Sequence, residues 1–328
     1  MHASLIFSKS YCRAALLCGA LFGLPSAFAD GNELPPLPVP GEWTMALMPQ
    51  ASYGTYSNSP TRDSVATVGM SADLQYLERY GMALGLSATT VKQKSTGASS
   101  GARKLIQTAY NLSGWERYTP DDLPGVLTLS GEVIVARNND SSKETGVTTA
   151  AAQMAFLDYA KESYLDLGFA YSSYAAGNQG NGALTVMQFT PTIGLAFNEA
   201  ADWLQFRLYH IIPDNLKRTQ NVASTDAVDV KWTHFFDGTG WSPNQIQMGA
   251  LVGERIYAVE PATVYNFADL QTGGFMLAAQ WNFAEEALLI VQGGLDKYDA
   301  LVPATLDSVS HTTAYSASYL YVGVRKQW

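Results

Sequence analysis

From Trp43 onward the chain alternates between apolar and polar positions. Over 185–198, Met187, Phe189, Ile193, Leu195 and Phe197 take turns with Gln188, Thr190, Thr192, Gly194 and Asn198. Over 201–212, Leu204, Phe206, Leu208 and Ile212 take turns with Gln205, Arg207 and Tyr209. Over 272–284, Phe275, Leu277, Ala279, Trp281 and Phe283 do so with Gln280 and Asn282. Successive side chains of a strand point to opposite faces, so this period of two predicts strands with one apolar and one polar face. Fourteen such segments follow one another: 43–55, 65–77, 80–92, 103–112, 126–137, 148–159, 163–174, 185–198, 201–212, 227–236, 243–256, 272–284, 287–298 and 314–328.

The connections alternate as well. Glu78-Arg79, Ala160-Lys161-Glu162, Glu199-Ala200 and Glu285-Glu286 are tight, whereas 93–102, 138–147, 175–184, 213–226, 257–271 and 299–313 are long. The connection 113–125 breaks the rule, since its place calls for a short turn. Short turns on one side and long loops on the other are the asymmetry of an outer-membrane barrel. The predicted fold is therefore all-β: an antiparallel transmembrane β-barrel of about 14 strands (12–16), with short periplasmic turns and longer extracellular loops. Lipid offers no partner for backbone N–H and C=O groups, so strands cross it only in a sheet closed on itself. Trp43, Tyr76, Tyr80, Tyr110, Trp115, Tyr159, Tyr164, Trp203, Trp232, Trp241 and Trp328 lie near predicted strand ends, where aromatic girdles are expected.

Composition sharpens this picture. Hydrophobic residues make up 47% of the chain, yet charged residues only 15%, well below the usual quarter. After residue 30 no apolar run is long enough for a transmembrane helix. Residues 1–29 read as a Sec-type secretory signal peptide: Lys9 and Arg13, an apolar stretch from Ala14 to Phe22, then Ala27-Phe28-Ala29 as a cleavage site. Residues 30–42 form a Pro-rich periplasmic lead-in, too short for a plug domain, and 43–328 form the barrel. Cys12 and Cys18 leave with the signal, which removes disulfides, thiolate metal ligands and thiol nucleophiles from the mature chain. With Lys9 and Arg13 gone, 18 basic residues face 29 acidic ones, a balance that excludes nucleic acid as a partner.

The chain ends Tyr319-Leu320-Tyr321-Val322-Gly323-Val324-Arg325-Lys326-Gln327-Trp328. This segment resembles the C-terminal strand of Gram-negative outer-membrane β-barrel proteins, the porin-like class, which typically ends on an aromatic residue. Gly323 and Trp328 carry the resemblance. It implies integral residence in the bacterial outer membrane among lipids and lipopolysaccharide, and delivery by the barrel-assembly machinery. Size and strand count also look like monomeric fourteen-stranded porins or hydrophobic-solute channels.

Alternation places Asp73, Glu132, Asp166, Arg207, Asp229, Lys231, Arg255, Asp296 and Arg325 on the lumen face. They can pair into a polar filling, or line a pore and tune its ion preference. Loop 257–271 is long, partly apolar and holds Glu260 and Asp269. It is a candidate to fold into the mouth as a constriction, against the plainer readings of an extracellular loop or a strand extension. Gly177-Asn178-Gln179-Gly180-Asn181-Gly182 lacks the Lys-Ser/Thr of a phosphate loop and reads as a flexible connection.

Catalysis finds little support. The mature histidines are His210 and His234, at outward positions near strand ends, and His311, in a loop beside Ser308 and Ser310. No Gly-x-Ser-x-Gly elbow and no metal-spaced His pair appears. No catalytic residue, metal or cofactor is therefore assigned. The first expectation is a passive pore or export/uptake conduit for small or polymeric solutes, polysaccharide included. The alternative is a non-conducting structural, adhesive or complex-forming barrel with a plugged lumen. A membrane-embedded lipid hydrolase ranks third.

Overall fold

The computed structural model describes residues 43–77, 79–94, 104–139, 146–176, 182–236, 242–260, 263–264, 269–284, 286–302 and 311–328. The signal and Pro-rich segments, Trp241, Ser308, Ser310 and most of the 177–182 loop lie outside them. The strands are β1 (Trp43–Ser57), β2 (Arg62–Tyr76), β3 (Tyr80–Gln93), β4 (Lys104–Tyr118), β5 (Gly125–Asn138), β6 (Gly146–Asp158) and β7 (Ser163–Tyr174). They continue with β8 (Leu184–Phe197), β9 (Asp202–Pro213), β10 (Thr225–Phe235) and β11 (Gln245–Arg255). Two short strands, β12 (Val259–Glu260) and β13 (Thr263–Val264), precede β14 (Leu270–Ala284), β15 (Ala287–Val302) and β16 (His311–Gln327). All but β12 and β13 form one closed antiparallel barrel of fourteen strands, which matches a transmembrane β-barrel fold. Each barrel strand has at least 11 residues, enough to cross a bilayer at a steep tilt.

The barrel is inverted relative to a water-soluble protein. On β7 the outward Leu165, Leu167, Phe169 and Tyr171 are exposed, while the inward Asp166, Ala170, Ser172 and Tyr174 are buried. The same holds around the wall, from Val68 and Met70 on β2 to Leu320 and Val322 on β16. A large apolar side chain gains about 1.5–3 kcal/mol on leaving water for an apolar medium, so this outer face is built for hydrocarbon.

The first and last strands close the wall. β1 and β16 run in register from Ala46↔Gln327 to Ser57↔Ser316. Beyond that register, Trp328 donates its N–H to the Met45 carbonyl at 2.8 Å and Met45 returns the bond at 3.0 Å. Gly323 lies on this seam beside Gln50; a Cβ there would meet the Tyr321 hydroxyl at 2.5 Å.

Three expectations shift. β4 continues to Tyr118, which leaves a short turn at 119–124 and removes the anomaly of the 113–125 connection. The alternation fades there because the outward Gly114 has no side chain and the inward position holds Trp115. β15 and β16 likewise reach further into the expected 299–313 loop, with His311 opening β16. Of the girdle residues, Trp43, Tyr80, Tyr110, Tyr159 and Trp328 are exposed, and Trp43 packs on Tyr76 at 4.8 Å between ring centroids. Trp115, Tyr164 and Trp203 instead face inward. Trp115 lies over Gly81 and Trp203 over Gly194, at positions where a Cβ would collide with the indole. The Tyr164 hydroxyl donates to Asp166 at 2.9 Å. A missing Cβ on the neighbouring strand makes room for each indole inside.

A bulge interrupts β11. Val252 pairs with Gly273 but Arg255 with Gln271, so β11 carries one extra residue. Gly253 supplies the turn at φ +103, a conformation L side chains rarely adopt, and its Cβ position is 2.5 Å from the Asp226 carbonyl. Gly253→Ala is expected to destabilise the folded barrel by about 1–3 kcal/mol, read as a shift of the urea midpoint in lipid vesicles.

Candidate functional site in the barrel lumen

Beyond the β11 bulge the chain turns into the lumen. Ile256, Tyr257, Ala258, Val259 and Glu260 are all buried. The first four join an apolar cluster with Ile134, Val147, Tyr174, Leu184, Val186, Ile211 and Leu251, side chains from the inner wall. Gln188 of β8 grips the segment through its backbone: its amide donates to the Val259 carbonyl at 2.6 Å and accepts from the Val259 N–H at 2.8 Å. The Tyr257 ring meets Tyr174 edge-on at 4.8 Å. The Tyr257 hydroxyl donates to the Arg218 carbonyl at 3.1 Å.

Arg218 belongs to a single helical turn, Leu216–Arg218, in the β9–β10 loop. Its guanidinium is buried and donates to the carbonyls of Ala175 and Gly182 at 3.2 and 3.1 Å. Gln220 of the same loop donates to the Asp299 carbonyl on β15 at 3.4 Å. The β9–β10 loop thus bridges from β7 and β8 to β15 above the inserted segment. At the far end of that connection, Asp269 pairs with Arg62 and accepts from Tyr315 at 2.6 Å. The Tyr257–Glu260 part of the 257–271 connection lies inside the lumen and does not continue β11.

Glu260 is where the lumen charges converge. Arg255 donates to its Oε1 at 2.5 Å and Tyr209 at 2.6 Å, and the Arg207 Nη1 approaches its Oε2 at 3.6 Å. Arg207 also donates to Thr192 at 3.1 Å and lies 3.9 Å from Asp166. Asp166 accepts from Gln153 at 2.8 Å. Arg255 continues the network to Gln271 at 2.7 Å, and Gln271 to Asp296 at 3.0 Å. Asp229 and Lys231 pair along β10 at 2.8 Å. A charge in so dry a setting persists only when paired and hydrogen-bonded.

Four of the nine lumen positions read from the sequence, Asp166, Arg207, Arg255 and Asp296, join this network. Asp229 and Lys231 form a separate buried pair. Glu132 of β5 accepts from Asn111 of β4 at 3.3 Å. Asp73 and Arg325 act on each other electrostatically nearer the turn end. Glu260 was not among the nine, because alternation assigns faces within strands and is silent on a loop. Its signals were the length and partly apolar character of loop 257–271.

Accessibility varies along the inner wall. The inner positions Gln50, Ser52, Ser87, Ser113, Ser130 and Glu132 on β1–β5, and Gln153 and Arg207 on β6 and β9, are partly accessible. Thr67, Ser71, Thr89, Gln107 and Asn111 on β2–β4 are buried, as are Asp166, Gln188, Asp229, Lys231, Arg255 and Asp296 on β7–β15.

Two histidines are each paired with a carboxylate. His210 Nδ1 lies 2.7 Å from Asp226, and His234 Nδ1 lies 2.8 Å from Asp202.

No protein-family model matches the sequence, and no curated protein matches it. Solved structures resemble it in fold. A deletion mutant described as "TodX deltaS2S3 mutant monoaromatic hydrocarbon channel" superposes with a TM-score of 0.52 at 9% identity, over 88% of this chain and 91% of that one. The Pseudomonas putida toluene transporter TodX gives 0.50 at 7% identity, over 87% and 88%. At these identities the likeness is one of fold.

Gln188→Ala removes both bonds to Val259. Deuterium uptake at 256–260 is expected to quicken roughly tenfold or more, the exchange equivalent of losing one to two hydrogen bonds. Unchanged uptake would show that packing alone holds the segment.

Proposed function

We propose that this chain is a bacterial outer-membrane conduit for small polar solutes, whose path runs along the β1–β5 half-wall past the inserted segment. The observation that carries this reading is a run of short polar inner side chains on that wall: Ser52, Ser87, Ser113 and Ser130 stay partly accessible, and Ser113 and Ser130 share a cavity with Glu132, Asp166, Arg207 and Glu260. A wall of hydroxyls and short side chains keeps water and offers hydrogen bonds in transit, while charged neighbours tune selectivity. The fold is that of proteins described as hydrocarbon channels, but a hydrocarbon passing here would have to displace water beside Glu132 and Arg207. In this reading the short turns and both chain ends of the barrel face the periplasm, and the inserted segment guards the outer mouth.

A second reading has its own support. The interlock of Arg218, Tyr257 and Glu260 closes one side of the lumen and fits a non-conducting barrel whose loops act as the working surface.

Planar-bilayer recording of the membrane-inserted protein separates the two. A conduit gives stable current steps. Deleting 260–268 should then raise the unit conductance, by about twofold or more since ions traverse a wider lumen. Arg207→Ala should shift the ratio of cation to anion permeability toward cations. Steps of unchanged size after the deletion dispose of the constriction. A folded but silent barrel favours the second reading.

A further inference from the structure

A cavity of about 80 Å³ lies against β4–β7, with Ser113, Ser130, Glu132, Asp166, Arg207 and Glu260 in its lining. It has room for several waters, at roughly 10–15 Å³ each. The inward side chains Ser113, Ser130 and Ala151 that also line it are small.

Its polar groups are unbalanced. Three carboxylates face one guanidinium in the lining. Arg255, the second cation of the network, approaches Glu260 through Oε1. Glu260 is 2% exposed, and its Oε2 accepts no hydrogen bond. Arg207 stands off from Oε2 at 3.6 Å and from Asp166 at 3.9 Å, contacts at the outer limit of an ion pair. A buried carboxylate oxygen without a donor is costly, and a charge-assisted donor is its natural complement. The hydroxyls of Ser113 and Ser130 add groups able to accept. An anion would meet three like charges here. A neutral solute would leave the excess negative charge unanswered. Among the described residues no group of side chains could hold a metal ion.

We infer that this cavity binds the cationic end of a small organic solute, an ammonium or guanidinium group, held between Glu132 and Asp166 of the wall and Glu260 of the inserted segment. The inference rests on the conduit reading, for which it names the solute class. A bound cation competes with Arg207 for Asp166 and Glu260. Occupancy of the cavity is thereby coupled to the ion pairs that hold the segment in the lumen.

The test uses 1,4-diaminobutane, with 1,4-butanediol as its neutral isostere and succinate as the dianion of equal backbone length. Calorimetry on the folded protein in detergent should register the diamine alone. Glu132→Gln, at a partly accessible position, should weaken binding roughly tenfold or more, the scale of one charge-assisted bond. Asp166→Asn should do the same, with heat-modifiable migration and circular dichroism verifying that each variant is folded. In bilayers the diamine should interrupt the current at concentrations where the diol does not. Binding of diol or succinate as tight as that of diamine, or diamine binding unaltered in folded Glu132→Gln, overturns the site. Calorimetry needs no current: a silent barrel that binds diamine keeps the site and loses the conduit, whereas a conducting barrel blind to diamine does the reverse.

Discussion

An unpaired backbone N–H or C=O costs several kcal/mol in hydrocarbon, and every other feature of this protein follows from meeting that demand. A helix satisfies it within one segment. A sheet satisfies it only by leaving no edge, which makes the β1–β16 seam the joint on which the wall depends. The chain spends its last residues there. Val322 and Gly323 pair with Ala51 and Gln50, and Trp328 exchanges backbone bonds with Met45. The resemblance to an assembly signal and the closing of the wall concern the same residues, because Gly323 and Trp328 both lie on the β1–β16 seam.

Closure fixes two faces with opposite solvents, and the second creates an electrostatic problem. Fourteen strands enclose more volume than side chains fill. The β7–β15 side fills it with ionisable groups and a piece of its own loop. Arg207 and Arg255 would be expensive in this setting without Glu260, and Glu260 without them. The inserted segment is thus a counter-charge as well as an obstruction. Removing it exposes two guanidinium groups at once, so its effect on passage is electrostatic as well as steric.

Fold and site were legible in the sequence to different degrees, for a physical reason. A strand between lipid and lumen has two unlike neighbours all along its length, so period-two alternation persists and the fourteen strands can be read directly. The reading failed where a side chain did not report its face. Gly114 blurred the end of β4. Trp115, Tyr164 and Trp203 read as interfacial aromatics, although a glycine on the next strand houses each tryptophan inside and Asp166 draws the tyrosine hydroxyl inward. The lumen network depends on contacts between distant segments, such as Gln188 with Val259 and Arg218 with Ala175. No local pattern encodes these. The length and partly apolar character of loop 257–271, with Glu260 and Asp269 in it, were the local clues, and they pointed to the mouth without naming its contacts.

The inserted segment is held by unlike means at different points, and this bears on how it can move. Val259 is fixed by two neutral hydrogen bonds to one side chain, Tyr257 by packing and a bond to another loop, and Glu260 by charge. Neutral bonds and packing depend little on the solution. Ionic contacts respond to whatever other charges enter the lumen, and the two from Arg207 are already long. Displacement by a solute would therefore begin at Glu260 and spread toward Tyr257, since the charged anchor is the one a solute can compete for. The β9–β10 loop that carries Arg218 is tied to the β7–β8 connection at Ala175 and Gly182 and to β15 at Asp299, so it stays as the frame against which the segment shifts. On the conduit reading, a passage built this way would respond to the charge of what enters it, with the rest of the barrel held by its closed ladder of backbone bonds.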